Sequence, residues 1–214
     1  MIDRKLHTFR SKRFASVVVQ AKKFFAATPL HSLPPNDSFL GVGVYAIYYL
    51  GNLEMYRALG ERNRQFCKCP IYVGKAVPSG WRTARVSLGG DSNELCGRLA
   101  QHARSIEHAA LLQPSDFQVR FVILEGAEMD LIGSLEASLI RAHRPLWNTV
   151  VDGFGNHDPG SGRYNQSNSE WDILHPGRPW SARLTGTPPE LQNIMRKIAA
   201  EMKRYRFRKT TTAS

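Results

Sequence analysis

The sequence predicts a mixed α/β (α+β) fold: one small unit of strands and helices, with a basic helix near each end of the chain. Three observations predict it. Aromatic and β-branched segments at GVYAIYYL from Gly43, PIYVGKAV from Pro70 and FQVRFVILEG from Phe117 read as strands, and stretches with helical apolar spacing lie around them. The 214 residues, 42% of them hydrophobic, suffice for one sizeable core but not for two. After Asn148 the composition turns abruptly to Gly, Asn, Asp and Ser. The chain therefore reads as a single domain with a core over 43–148, an N-terminal basic arm over 1–36 and a C-terminal extension over 149–214.

The elements follow in order. FRSKRFASVVVQAKKFFAATPL carries Phe14, Val17, Val18, Ala21, Phe24 and Phe25 at helical spacing and is stopped by Pro29, with the linker LPPNDS beyond it. The strand from Gly43 and the strand from Pro70 are expected to pair, with a short helix, NLEMYRALGERNRQ, between them. PSGWRTARVSLGG is a loop too long for a simple strand-to-helix turn. Asp91, Ser92 and Glu94 mark a helix start, and NELCGRLAQHARSIEHAA continues with Leu95, Leu99, Ala103, Ile106 and Ala110 on one face. The third strand precedes a second long helix, MDLIGSLEASLIRAHRP, ended by Pro145, and a basic helix, PPELQNIMRKIAAEMKRYRFRK, closes the chain.

Charge narrows the function. The 29 Lys and Arg against 18 Asp and Glu give a formal charge of +11, which attracts polyanions, and nucleic acid is the first candidate. No run of about 18 apolar residues appears and no secretory leader, so a cytoplasmic location without membrane insertion is expected. No helix pairs a bulky apolar face with a basic one in the way of an interfacial anchor. Cys67, Cys69 and Cys96 cannot all pair, and CKC lacks zinc-site spacing, so the thiols are read as reduced.

Several residues stand where packing alone would not put them. Glu136 falls within the stripe of Ile132, Leu135, Leu139 and Ile140, where an unpaired carboxylate costs several kcal/mol, so it should meet a cation, a hydrogen-bond network or a metal, unless it reaches solvent at the stripe's edge. Arg98 and His102 share one helix face at i, i+4, as a phosphate site or as a solvated edge. Alternation puts Tyr45, Ile47 and Tyr49 on one side of their strand, opposite Val44, Ala46 and Tyr48, and puts Tyr72 with Gly74 on one side of theirs. Lys75 leaves the strand end toward the same opening; strand tyrosines also serve as ordinary half-buried packing.

Together these residues resemble the GIY-YIG nuclease family. GVY at Gly43 to Tyr45 and YVG at Tyr72 to Gly74 match its signature tripeptides with Val for Ile; GRLAQH matches its helical Arg and His, LEASLI its metal-binding Glu, and PLWN its closing Asn. The spacings from Tyr45 to Tyr72 and from Tyr72 to Arg98 exceed those of minimal family modules, because of the insertions NLEMYRALGERNRQFCKC and PSGWRTARVSLGGDS. The resemblance implies a three-stranded, mostly antiparallel sheet flanked by helices. It also implies phosphodiester hydrolysis with one divalent metal, Mg²⁺ with Mn²⁺ as a substitute, held by Glu136 and waters, and no organic cofactor. Tyr45, Tyr72, Lys75, Arg98, His102, Glu136 and Asn148 form the implied catalytic set. In it Tyr72 takes the proton of water and His102 relays it, in an electropositive setting of Lys75, Arg98, His102 and the metal that favours phenolate; Tyr45 orients the water or substitutes as base, and Asn148 positions Glu136 or a tyrosine.

A short chain with its own basic arms resembles the type II restriction branch, in particular the enzymes that cut CCGCGG. That implies a homodimer on a palindrome in double-stranded DNA. Arg82, Arg85, Arg163, Asn165, Gln166, Asn168 and Arg178 lie in loops suited to reading G·C pairs, or serve as ordinary solvated loops. A structure-specific repair or resolvase-like nuclease would share the site but prefer branched or damaged DNA. A non-catalytic nucleic-acid-binding protein would be basic too, but would not need Glu136 among matching Tyr, Arg and His positions.

Overall fold

A computed structural model of the chain describes residues 1–81 and 92–205. Its sheet has the three expected strands, β2 (Gly43–Tyr49), β3 (Tyr72–Ala76) and β4 (Phe117–Ile123), and a two-residue β1 (His31–Ser32), in the order β1-β4-β2-β3. All pairings are antiparallel. β1 escapes a sequence reading because two residues carry no alternation; pairing of His31 with Val119 and Ser32 with Gln118 creates it.

Seven α-helices surround the sheet among the described residues: α1 (Lys12–Ala27), α2 (Arg57–Phe66), α3 (Glu94–His108), α4 (Ile132–His143), α5 (Leu146–Thr149), α6 (Glu170–Leu174) and α7 (Leu191–Met202). Their ends follow local chemistry. The Ser11 hydroxyl caps α1 by accepting from the Phe14 amide at 3.2 Å. Cys67 and Arg144 end α2 and α4 in the left-handed conformation, and Pro145 blocks continuation of α4. None of the helices is long and apolar enough to cross a membrane.

Strand alternation sorts the core as expected. Tyr45, Ile47 and Tyr49 enter one apolar cluster with Leu95, Leu99 and Ile106 of α3. Val44, Ala46 and Tyr48 enter another with Leu135 and Leu139 of α4 and Phe25 of α1. α1 turns out differently from its sequence stripe. Phe25 is buried while Phe14, Val17 and Phe24 are exposed, because the helix meets α4 and β4 along its Ala21–Phe25 edge.

The extension after Asn148 is no appendage. Val151, Phe154, Trp171, Leu174, Ile194, Ile198 and Met202 belong to the same apolar cluster as Tyr45 and Leu99. Trp147 is its hub: its ring meets Tyr56, Phe117, Phe154 and Trp171 at centroid distances of 4.5–5.9 Å, and its indole N–H donates to the Tyr56 hydroxyl at 3.2 Å. Truncation here removes contacts from both halves of the chain. Trp147→Ala should therefore lower the free energy of unfolding in urea by about 3–5 kcal/mol, a single cooperative transition being retained.

Candidate active site

Gly74 is where the site begins. The β2–β3 register sets it opposite Tyr45, and a Cβ on Gly74 would lie 2.5 Å from the Tyr45 hydroxyl and 2.9 Å from the ring of Tyr72. Only a residue without a side chain leaves room for both rings. Behind them, the Tyr45 hydroxyl lies 2.6 Å from His102 Nε2, and both groups are buried. Tyr72 stands further out, its ring edge-on to His102 at 5.2 Å and to Phe154 at 4.9 Å.

Arg98, one helical turn before His102, is held by a segment of the Gly- and Asn-rich stretch that follows Asn148. Its Nη2 donates to the Gly155 carbonyl at 2.7 Å, and its Nη1 meets Gln101 Oε1 at 2.9 Å and His157 Nε2 at 2.5 Å. Phe154 stacks on the His102 ring at 4.6 Å. Phe154, Gly155 and His157 thus form a wall of the site, and no periodicity marks them because loop backbone does the holding.

β3 is the edge strand, so its outer margin is reached from both faces of the sheet. From the α4 side, Glu136 Oε2 accepts from Lys75 Nζ at 2.6 Å, which supplies the cation its place in an apolar stripe demanded. Its side chain, 18% exposed, sits at the stripe's edge. Lys75 meets Glu136 rather than the tyrosines. Asn148 binds neither Glu136 nor a tyrosine hydroxyl; its Oδ1 accepts from the Val73 amide at 2.7 Å and its Nδ2 donates to the Val73 carbonyl at 2.8 Å. An amide side chain there completes the strand's edge, fixing the backbone between Tyr72 and Gly74.

Burial governs the protonation states. It drives Tyr45 well above the usual tyrosine value, with the neighbouring Tyr72 adding to the rise and Arg98 opposing it. Tyr72 is raised too, first by burial, while Arg98 lowers it and the Glu136 carboxylate raises it. His102 falls well below the usual imidazole value through burial and then through repulsion from Arg98, His157 and Arg178, so it is neutral and adds no positive charge. The electropositive setting expected for Tyr72 therefore reduces to Arg98 in the free protein. With the imidazole proton on Nδ1, the Tyr45 O–H donates to Nε2.

Among the described residues of the site, Glu136 is the carboxylate that a divalent ion would meet. No group of three His, Cys, Asp or Glu side chains able to hold a metal occurs among the described residues, which disfavours a zinc-type cage. A lone, partly exposed Glu136 fits Mg²⁺, which keeps several waters and takes phosphate oxygens as its other ligands.

The expected base readers divide. Arg178 is a correction: 3% exposed, it pairs with Asp172 Oδ1 at 2.7 Å, donates to the carbonyls of Gly153, Phe154 and Asn156, and lies between the rings of Trp171 and Trp180. Its donors are spent on the protein. Asn168 donates to the Ser181 carbonyl at 2.8 Å and is only partly exposed. Arg163, Asn165 and Gln166 are exposed, and Arg163 and Gln166 line a cleft of about 450 Å³ that also touches Gly155 and His157. Arg82 and Arg85 lie outside the described residues.

His175 gives the fold a measurable pH dependence. It is buried, its Nε2 lies 2.7 Å from the Tyr56 hydroxyl, and burial pushes it down to about 3. An unfolded imidazole titrates near 6.5, so below that pH the unfolded chain binds a proton that the folded one refuses. Its contribution to stability is intact above about 6.5 and falls as the pH drops toward 3, by up to about 1.4 kcal/mol per pH unit. His102 acts in the same direction. A His175→Gln variant should show a shallower loss of stability between pH 6.5 and pH 4 in denaturant titrations, without a change of slope above pH 7.

The comparison with protein families agrees with this geometry. A family model described as the Eco29kI GIY-YIG domain matches residues 37–202, which takes in strands β2, β3 and β4, the tyrosines, Arg98, His102, Glu136 and the wall around Gly155. No curated protein matches the chain. With two tyrosines converging on a bare glycine, an arginine and histidine on the facing helix and a glutamate across the strand edge, the chain belongs to the Eco29kI family of GIY-YIG restriction endonucleases.

Proposed function

We propose that the protein is a type II restriction endonuclease that hydrolyses a palindromic, GC-rich duplex site through a water activated at Tyr72. The observation that carries this reading is the Tyr45–His102 hydrogen bond of 2.6 Å, with the Tyr72 ring 6.3 Å from that of Tyr45 and Arg98 beside them. A free tyrosine is about one part in a thousand phenolate at pH 7, and burial makes that fraction smaller, so a preformed phenolate is a poor base here. A relay avoids it. Tyr72 accepts the water's proton as its own passes to Tyr45 and that of Tyr45 passes to His102 Nε2, leaving the charge on an imidazolium.

Arg98 suits two tasks. It neutralises a non-bridging phosphate oxygen, and the bound phosphodiester in turn offsets the Arg98 repulsion that, after burial, depresses His102. Glu136, with Lys75 beside it, would hold Mg²⁺, which when bound supplies positive charge for the leaving 3′ oxygen. Mn²⁺ would substitute. Asn148 keeps β3 in place beneath Tyr72 through the two Val73 bonds.

A chain with one such site cuts one strand, so a double-strand break calls for a homodimer whose two-fold axis matches a palindrome. Arg163, Asn165 and Gln166, exposed near the cleft beside His157, are the described residues best disposed to read bases.

Purified protein incubated with long duplex DNA and Mg²⁺ should give discrete fragments whose sequenced ends share one palindrome, and neither EDTA-treated nor Glu136→Ala protein should give them. Intact duplex with cleaved branched DNA would favour a structure-specific nuclease instead. Tyr72→Phe should slow single-turnover cleavage by about 10²- to 10⁴-fold, the usual worth of a positioned base; near-normal cleavage would move that role to Tyr45.

A further inference from the structure

Four consecutive carbonyls, from Gly153 to Asn156, are divided between two arginines. Those of Gly153, Phe154 and Asn156 accept from Arg178 at 3.0, 3.2 and 3.3 Å, and that of Gly155 accepts from Arg98 at 2.7 Å. Arg178 has little freedom to move. Its Nε and Nη2 both lie 2.7 Å from Asp172 Oδ1, and its guanidinium lies 4.6 Å from the Trp171 ring and 4.7 Å from the Trp180 ring. Asp172 is fixed in turn, its Oδ2 accepting from the Ser169 hydroxyl at 2.7 Å. The segment that touches the site thus hangs on a buried ion pair that takes no part in the proposed chemistry.

Gly155 has a second property. Its φ lies outside the left-handed region, so its backbone conformation does not itself require glycine. A Cβ there would nevertheless lie 2.6 Å from the Tyr72 hydroxyl oxygen, while the Tyr72 Cζ, at 3.6 Å, and Arg98 Nη2, at 3.5 Å, would be in ordinary contact. The collision is with one oxygen atom. Tyr72 cannot simply swing aside, because Phe154 and His102 hold its ring edge-on at 4.9 and 5.2 Å.

We propose that Gly155 and Arg178 are positioning residues for the nuclease reaction: Gly155 sets the place of the Tyr72 hydroxyl by lacking a side chain, and Arg178 sets the place of Arg98 by fixing the loop whose Gly155 carbonyl receives it. This rests on the reading of the site given above and assigns a role to residues that touch neither metal nor scissile phosphate in that reading. A displacement of about 1 Å in a reacting group can cost about 100-fold in rate, so small shifts here are large in effect.

The test is a double-mutant cycle in the full-length protein. Gly155→Ala should reduce the single-turnover rate of Mg²⁺-dependent plasmid cleavage by about 100-fold and lower the melting temperature, with affinity for a labelled duplex in EDTA unchanged within about threefold. In a Tyr72→Phe background the colliding oxygen is gone. There Gly155→Ala should cost less than about twofold in rate and leave the melting temperature unchanged. A Gly155→Ala enzyme that cleaves within about threefold of wild type, or a penalty of the same size in both backgrounds, would overturn the role of Gly155. Arg178→Lys keeps the charge beside Asp172 but loses the fork that spans three carbonyls. Its loss of cleavage rate should not add to that of Arg98→Lys, and additive losses would overturn the role of Arg178. If wild-type protein leaves plasmid DNA uncut, the nuclease reading fails, whereas the melting-temperature cycle between Gly155→Ala and Tyr72→Phe still decides whether Gly155 positions that hydroxyl.

Discussion

The outer edge of β3 is the line along which both faces of the sheet come within reach of one another, and the candidate site lies where the described residues cover only half of that edge. Asn148 occupies part of it, bonding both polar groups of Val73 as a neighbouring strand would. Beyond Val73, among the described residues, the edge is left to side chains. Tyr72, on the α3 face, and the Lys75–Glu136 pair, on the α4 face, can act around one margin because of this, and the Glu136 carboxylate is near enough to raise both tyrosines. A strand added to this edge would remove the site.

Around the two tyrosines and His102, electrostatics in the free protein favour neutral groups. Tyr45 and His102 are buried and uncharged, and the positive charge beside them comes from Arg98, whose hydrogen bonds go to Gly155, Gln101 and His157. Such a site is poorly set up to ionise by itself and well set up to respond to an anion. A phosphodiester at Arg98 would offset the repulsion on His102 and make the Tyr45–His102 hydrogen bond a path for a proton. Proton acceptance would then be coupled to substrate binding. That coupling removes the Arg98 share of what depresses His102 and leaves the share due to burial.

Much of this was legible in the sequence, and for identifiable reasons. Strand alternation put Tyr45 on the face that meets α3, and helical spacing put Arg98 and His102 together; a carboxylate within an apolar stripe pointed to Glu136 needing a cation. Phe154, Gly155, His157 and the Asp172–Arg178 pair were not legible. They lie in irregular backbone held by carbonyls and by a salt bridge, so neither a period of two nor one of 3.6 marks them. The same Gly- and Asn-rich composition that reads as a surface loop here packs Phe154 and Trp171 into the main core. Arg178 shows the error most plainly: an arginine in such a loop looks like a DNA reader, and only its burial and its filled set of acceptors reveal a structural part. α1 errs the other way, since its aromatic stripe looks like a core face but leaves Phe14 and Phe24 exposed.

In the proposed reaction, water deprotonated at Tyr72, with Tyr45 and His102 behind it, attacks phosphorus directly. The stereochemical course at phosphorus tests it most directly. A duplex carrying a phosphorothioate of defined configuration at the scissile position would be cleaved in heavy-oxygen water and the product configuration determined. A single in-line displacement by water predicts inversion. Retention would mean two displacements through a covalent enzyme intermediate, with a tyrosine as nucleophile rather than as base, and would contradict direct attack by water.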